Sequence, residues 1–201
     1  LNALIILLAE IEREIKGNTV EYKGNKEFVP RLISEIFYDK PIKVNKNNER
    51  ANGQEEYLES KDWYVFNANY GTSEEKRFVE MMDVQMEKLK KDYDKIRLIR
   101  NEQHFKLYDF KQGRAFAPDF VLFLKERESN ILIYQIFIEP KGAHLKQNDM
   151  WKQEFLDEIK EMYKDRIIKF NNTKNYKITG VPFYNYDNEN EFKDSLYECI
   201  K

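Results

Sequence analysis

Two apolar runs separated by a short polar stretch govern how this chain can fold. Phe116 to Leu124 and Ile131 to Ile138 are rich in β-branched and aromatic residues, the second almost without interruption. That is the pattern of strands buried on both faces of a sheet. The polar residues Lys125 to Asn130 between them suit a hairpin connection, so the runs are expected as antiparallel neighbours. Charge gathers at one end of this pair. Pro118-Asp119 opens the first run, and Glu139-Pro140-Lys141 closes the second. Side chains alternate faces along a strand, so Glu139 and Lys141 point one way and Pro140 the other. Asp119, Glu139 and Lys141 are therefore expected to converge at the edge of the sheet.

The tripeptide alone carries little information, because an acidic residue two places before a lysine occurs eight times in the chain. Only Glu139 ends a strongly apolar run that is preceded, at hairpin distance, by a Pro-Asp pair opening another. A third carboxylate adds weight. Thr72 to Lys91 reads as a helix with Phe78, Met82, Met86 and Leu89 at helical spacing, and Glu75 falls near the centre of that apolar stripe. An acid there needs a partner, which makes it a candidate for the metal site or its support. Thr72 and Glu75 also fit a capping box, Thr at the N-cap and Glu three residues on, which needs no chemistry. The two roles are compatible.

The remaining elements follow from the same periodicities. Ile96 to Ile99 is expected as a strand, Gln147 to Lys164 as a helix carrying Trp151, Phe155, Ile159 and Met162, Tyr176 to Phe183 as an extended segment, and Glu189 to Ile200 as a last helix. The order α-β-β-β-α-β-α predicts a mixed sheet flanked by helices, an α/β fold. Residues 1–60 read as a helical segment and flexible connection: a helix from Asn2 to Lys16, another opening at Pro30 with Leu32, Ile33, Ile36 and Phe37 facing inward, and a mobile stretch from Asn45 to Asp62. Residues 61–201 form the main domain. The chain opens on Leu1 rather than methionine and reads as a piece of a longer protein.

These residues, in this order, resemble the PD-(D/E)XK nuclease superfamily. Asn69-Tyr70-Gly71-Thr72-Ser73-Glu74-Glu75 leading into Phe78, Phe116-Ala117-Pro118-Asp119-Phe120, and Glu139-Pro140-Lys141-Gly142 are similar to the C-terminal endonuclease region of type III restriction enzyme Res subunits, across roughly residues 63 to 200. The resemblance implies a restriction-endonuclease-like fold, with residues 1–60 the end of a preceding translocase region. It also implies double-stranded DNA as substrate and a separate modification (methyltransferase) subunit as partner. No G-x-x-x-x-G-K-[ST] loop is present, so ATP is expected only at a translocase domain outside these residues.

Charge then dictates the chemistry, since clustered carboxylates repel a phosphodiester unless a cation sits between them. Oxygen ligands favour Mg²⁺, with Mn²⁺ as a substitute. With one cysteine and two histidines, a zinc cage is not expected. The resemblance implies Asp119, Glu139 and the backbone carbonyl of Pro140 as metal ligands, Lys141 as the residue that orients the attacking water, and Glu75 as a further member of the catalytic set. Gln135 shares the face of Glu139, where a backbone-bonded glutamine is expected. His144, Lys146 and Lys152 are expected as solvated residues, and Trp63, Trp151 and Phe155 as core. The net charge of −2 gives no composition-level sign of nucleic-acid binding. A single cysteine fits a reducing, cytoplasmic compartment, and Leu4 to Ala9 is too short to span a bilayer. The rival reading is a non-catalytic docking module for the modification subunit or translocase. A third is the nuclease domain of another superfamily 2 helicase.

Overall fold

The computed structural model describes residues 26–29, 31–41, 43–127, 132–142, 149–170 and 174–200. The chain divides into two compact units, and the larger comprises Val29–Leu107 and Phe116–Lys201. Its centre is a five-stranded sheet in the order β1-β4-β5-β7-β6. The strands are β1 (Tyr93–Arg100), β4 (Phe120–Glu126), β5 (Leu132–Ile138), β6 (Ile168–Phe170) and β7 (Lys174–Gly180). Two further strands, β2 (Leu107–Tyr108) and β3 (Ala115–Phe116), make a separate ribbon. β4 runs antiparallel to both β1 and β5, with Phe120 opposite Ile138 and Arg100 opposite Phe120. β5 and β7 are parallel, which requires a crossover, and helix α4 (Met150–Tyr163) provides it. β6 lies antiparallel at the outer edge of β7.

Helix α3 (Ser73–Asp92) begins at a capping box, in which Thr72 and Glu75 satisfy each other's backbone N–H groups. Its buried stripe of Phe78, Val79, Met82, Met86 and Leu89 meets Leu98, Phe120, Leu122, Leu124, Ile136 and Ile138 from one face of the sheet. Helix α5 (Glu189–Cys199) adds Phe192 and Leu196 to the same core. Phe78 is the hub, with the rings of Phe120, Tyr184 and Phe192 at 5.0, 5.3 and 5.9 Å. Alternate residues, among them Val121 and Phe137, are buried on the other face. There α4 packs closely enough on β7 that a Cβ at Gly180 would run into the backbone of Leu156.

The fold is mixed α/β, and the helix from Thr72, both apolar strands, the crossover helix and the last helix form where the residue pattern puts them. Other details differ from expectation. β6 joins the sheet although Ile-Lys-Phe is too short to show a period. Leu32 and Ile33 are each 46% exposed instead of facing inward, on a single helical turn, α1 (Ile33–Ile36). The stretch from Asn45 to Asp62 is folded rather than a loose connection. It holds a 3₁₀ turn at Glu49–Ala51 and helix α2 (Glu55–Leu58), and Leu58 is 3% exposed. Tyr57, Lys61 and Trp63 all donate to the carboxylate of Asp83 on α3, which ties this stretch down. The helix expected from Asn2 to Lys16 lies outside the described residues. Among those described, no helix is long and apolar enough to cross a membrane.

The smaller unit, among the described residues, takes in Lys26–Phe28 and Tyr108–Ala115. Asp109 organises its turn, accepting from the backbone N–H groups of Lys111, Gln112 and Arg114 and from Arg114 Nε. Phe28 meets Phe110 edge to face at 6.3 Å.

Candidate active site

The hairpin register brings the two sequence motifs together. Phe120 faces Ile138 as the last pair of the register, and the next residue on each strand is Asp119 on one and Glu139 on the other. The Asp119 backbone N–H donates to Glu139 Oε2 at 3.1 Å. Asp119's own carbonyl accepts from Asn101 N–H at 2.8 Å, fixing the strand end from its other side. Glu139 is 3% exposed, and its second oxygen takes Lys141 Nζ and Lys152 Nζ, each at 3.4 Å.

Beyond Ile138 the chain leaves the ladder with β4 and bridges to Tyr184 instead. Tyr184 N–H donates to the Glu139 carbonyl at 3.1 Å, and Lys141 N–H donates to the Tyr184 carbonyl at 2.7 Å. Backbone groups alternate sides along an extended chain, so the Pro140 carbonyl is turned away from Tyr184, toward the β4 side. Neither Pro118 nor Pro140 has an N–H to offer across the gap.

Lys141 is held firmly. Its ammonium contacts Asp149 Oδ2 at 2.5 Å as well as Glu139, and Asn185 Nδ2 donates to its carbonyl at 2.7 Å. Asp149 is the N-cap residue of α4, yet its carboxylate makes no cap hydrogen bond and is given to Lys141 and Lys152.

Glu75 reaches the site from the other face of the sheet and is 5% exposed. Its Oε2 accepts from Thr72 N–H at 3.2 Å and pairs with Arg100 Nη1 at 2.6 Å. The same guanidinium donates to Asn69 Oδ1 at 2.5 Å and meets the carboxylate of Glu102. Gly71 lies where a Cβ would come within 2.6 Å of both Arg100 Nη1 and Glu75 Oε2. The run from Asn69 to Glu75 is thus a cradle for one buried arginine.

The electrostatics follow from this crowding. Burial, the neighbouring Glu139 charge and Glu75 push the Asp119 carboxyl well above the ordinary value, against the pull of Arg100 and Lys141. Burial also raises Glu139, while Lys152, Lys141 and the Asp119 N–H hold it back. Burial works against the Lys141 ammonium, but Asp149, Glu139 and Asp119 keep it above its usual value. Asp149 stays below the usual carboxylate range because Lys141 and Lys152 outweigh its burial. An acid under this strain is relieved either by a proton or by a cation.

The donor set suits a hard cation: carboxylates at the ends of adjacent strands, with the Pro140 carbonyl on the side away from Tyr184. Among the described residues no group of three or more His, Cys, Asp or Glu is placed to hold a metal ion, and Glu75 is paired with Arg100. Asp119 N–H and Lys141 both meet the Glu139 carboxylate, while Pro140 bridges to Tyr184. Glu75 acts on Asp119 through its charge.

Three members of the site were not foreseen. Lys152, expected in solvent, bridges Glu139 and Asp149 instead. Arg100 had a readable signal, since Ile96, Leu98 and Arg100 share a face of β1 and the arginine therefore ends an apolar stripe. Asp149 had the weaker one of standing at a helix start. Gln135 is half-buried, and His144 and Lys146 lie outside the described residues.

No solved structure matches this chain. An uncharacterized protein of Haemophilus influenzae (strain ATCC 51907 / DSM 11121 / KW20 / Rd) is 38% identical over 196 residues, 94% of this chain and 41% of the relative. The chain thus spans about two fifths of the length of the curated relative it matches. The HI_1054_C family, described as a C-terminal domain, matches residues 21–200, and the chain belongs to that family.

Proposed function

We propose that this domain is a Mg²⁺-dependent DNA endonuclease with a restriction-endonuclease-like fold of the PD-(D/E)XK type, akin to the C-terminal nuclease of a type III restriction Res subunit. The observation that carries the reading is the single cluster at the ends of β4 and β5, where Asp119 N–H bonds Glu139 at 3.1 Å and Lys141 sits 3.4 Å from the same carboxylate. With the short strands β2, β3 and β6 set aside, the order α3-β1-β4-β5-α4-β7-α5 supports it, since it is compatible with the α-β-β-β-α-β-α pattern.

Asp119, Glu139 and the Pro140 carbonyl would hold the ion. Bound there, Mg²⁺ would polarise the phosphodiester and offset its negative charge. Lys141, fixed by Asp149, orients the attacking water and faces the charge that grows on the phosphoryl oxygens. Water oxygen bonds to phosphorus as the bond to the leaving sugar oxygen breaks, and the departing oxygen takes up a proton. Glu75 and Arg100 keep the start of α3 against the strand ends. The net charge of −2 leaves much of the grip on DNA to other parts. A translocase region using ATP and a modification subunit are the partners this reading names.

The test is divalent-ion-dependent cleavage of plasmid DNA by the full polypeptide with its partner subunit, comparing wild type with Asp119→Ala and Lys141→Ala. Both variants are expected to lose cleavage by at least about 100-fold, the scale of a lost electrostatic or acid-base group. Folded variants that cut at the wild-type rate refute the assignment. The same pair of proteins separates out a docking module: Mn²⁺ raises the melting temperature of wild type and not of Asp119→Ala if the site holds an ion.

A further inference from the structure

Lys152 has no place in the reaction described above, yet it occupies the most buried carboxylate of the site. Its Nζ lies 3.4 Å from Glu139 Oε1 and 3.2 Å from Asp149 Oδ2. Lys141 touches the same two carboxylates, so two ammoniums and two carboxylates form a closed four-charge cluster. Lys152 stands in the first turn of α4, and its Nζ also lies 5.8 Å from the Phe116 ring centroid. The Lys152 side chain is 21% exposed while that of Glu139 is 3% exposed, so Lys152 joins the buried carboxylate to a partly solvated position.

We infer that Lys152 is a second phosphate-facing cation, parked on Glu139 in the ion-free protein and turned to the DNA backbone when a divalent ion takes that carboxylate. The inference rests on the metal-site reading of Asp119 and Glu139. A divalent ion and an ammonium compete for one buried acid, and the ammonium that loses still has Asp149, at 3.2 Å, to hold it at the site's mouth. Phosphate oxygens are the anions a nuclease brings to that mouth. Ion binding and DNA binding are then linked through one side chain, and linkage of this kind is reciprocal.

The consequence is an effect of opposite sign on two ligands. Lys152→Gln removes the competitor, so Mn²⁺ measured by calorimetry without DNA binds more tightly, by at least about fivefold, the low end of ordinary coupling. The same variant binds a fluorescently labelled duplex in Ca²⁺ more weakly, with its log–log salt slope flatter by about one, as for one lost phosphate contact. Lys152→Arg keeps the charge and restores the slope, which a folding defect would not do. If Lys152→Gln tightens Mn²⁺ but leaves duplex affinity and slope unchanged, Lys152 is only a stabilising partner of Glu139 and the inference fails alone. If wild type takes up no Mn²⁺ and behaves like Asp119→Ala, the metal-site reading fails and takes this inference with it.

Discussion

Replacing Gly71 by alanine tests whether the buried arginine cradle is as constrained as its contacts imply. A Cβ at this position would stand 2.6 Å from Arg100 Nη1, 2.6 Å from Glu75 Oε2 and 2.8 Å from Glu75 Cβ. On a surface, two side-chain tips would swing aside at little cost. Here the guanidinium is bonded by Glu75, Asn69 and Glu102 at once, so displacing it breaks bonds to the buried Glu75 and Asn69 that solvent does not replace. Breaking a buried pair costs about 3 kcal/mol at the low end. Against that, alanine removes about 0.4–1 kcal/mol of chain entropy from the unfolded state. The difference is a net loss of about 2 kcal/mol, or roughly 4–8 °C in melting temperature for a domain of this size. Thermal denaturation followed by circular dichroism reads it directly. The loss should shrink in a Glu75→Ala background, because both changes act on one network and do not add. An alanine variant that melts at or above the wild-type temperature refutes the reasoning.

Two further outcomes follow from the same coordinates. Asp119 carries a raised pKa, so the folded protein binds its proton more readily than the unfolded chain, and stability falls as pH rises from the ordinary carboxylate range through the raised value. Asp119→Asn should therefore melt higher than wild type at neutral pH without divalent ions, with the gap closing on acidification, and a pH-independent gap would contradict this. Gly180→Ala should cost about 3 kcal/mol, the upper end of ordinary overpacking, because its Cβ meets the backbone of Leu156 and pushes α4 off β7. Denaturant unfolding measures it, and a loss below about 0.5 kcal/mol would mean that the helix yields freely.

How much of this was legible in the residues depended on whether the governing interaction was local. The two apolar strands, the Thr72 cap and the α3 stripe declare themselves through alternation, capping chemistry and helical period, all set within a few residues. The meeting of Asp119 with Glu139 was also legible, since a hairpin brings its strand ends together. Lys152 was not, because its charge partner Glu139 lies 13 residues back and is reached only through the geometry of a crossover. The same holds for Asn45 to Asp62. Its composition is that of a solvated linker, and what folds it is Asp83, an acid on α3 that gathers Tyr57, Lys61 and Trp63 from more than one turn away. β6 escaped because three residues, one of them charged, cannot establish a period.

The prolines adjoining Asp119 and Glu139 have a consequence for how this site can change over time. Neither Pro118 nor Pro140 has an N–H, so each withholds a ladder donor by covalent chemistry, whatever charges lie beside it. Substitutions at Asp119, Glu139 or Lys141 can change the charge at this strand end and still leave both strands short of a donor there.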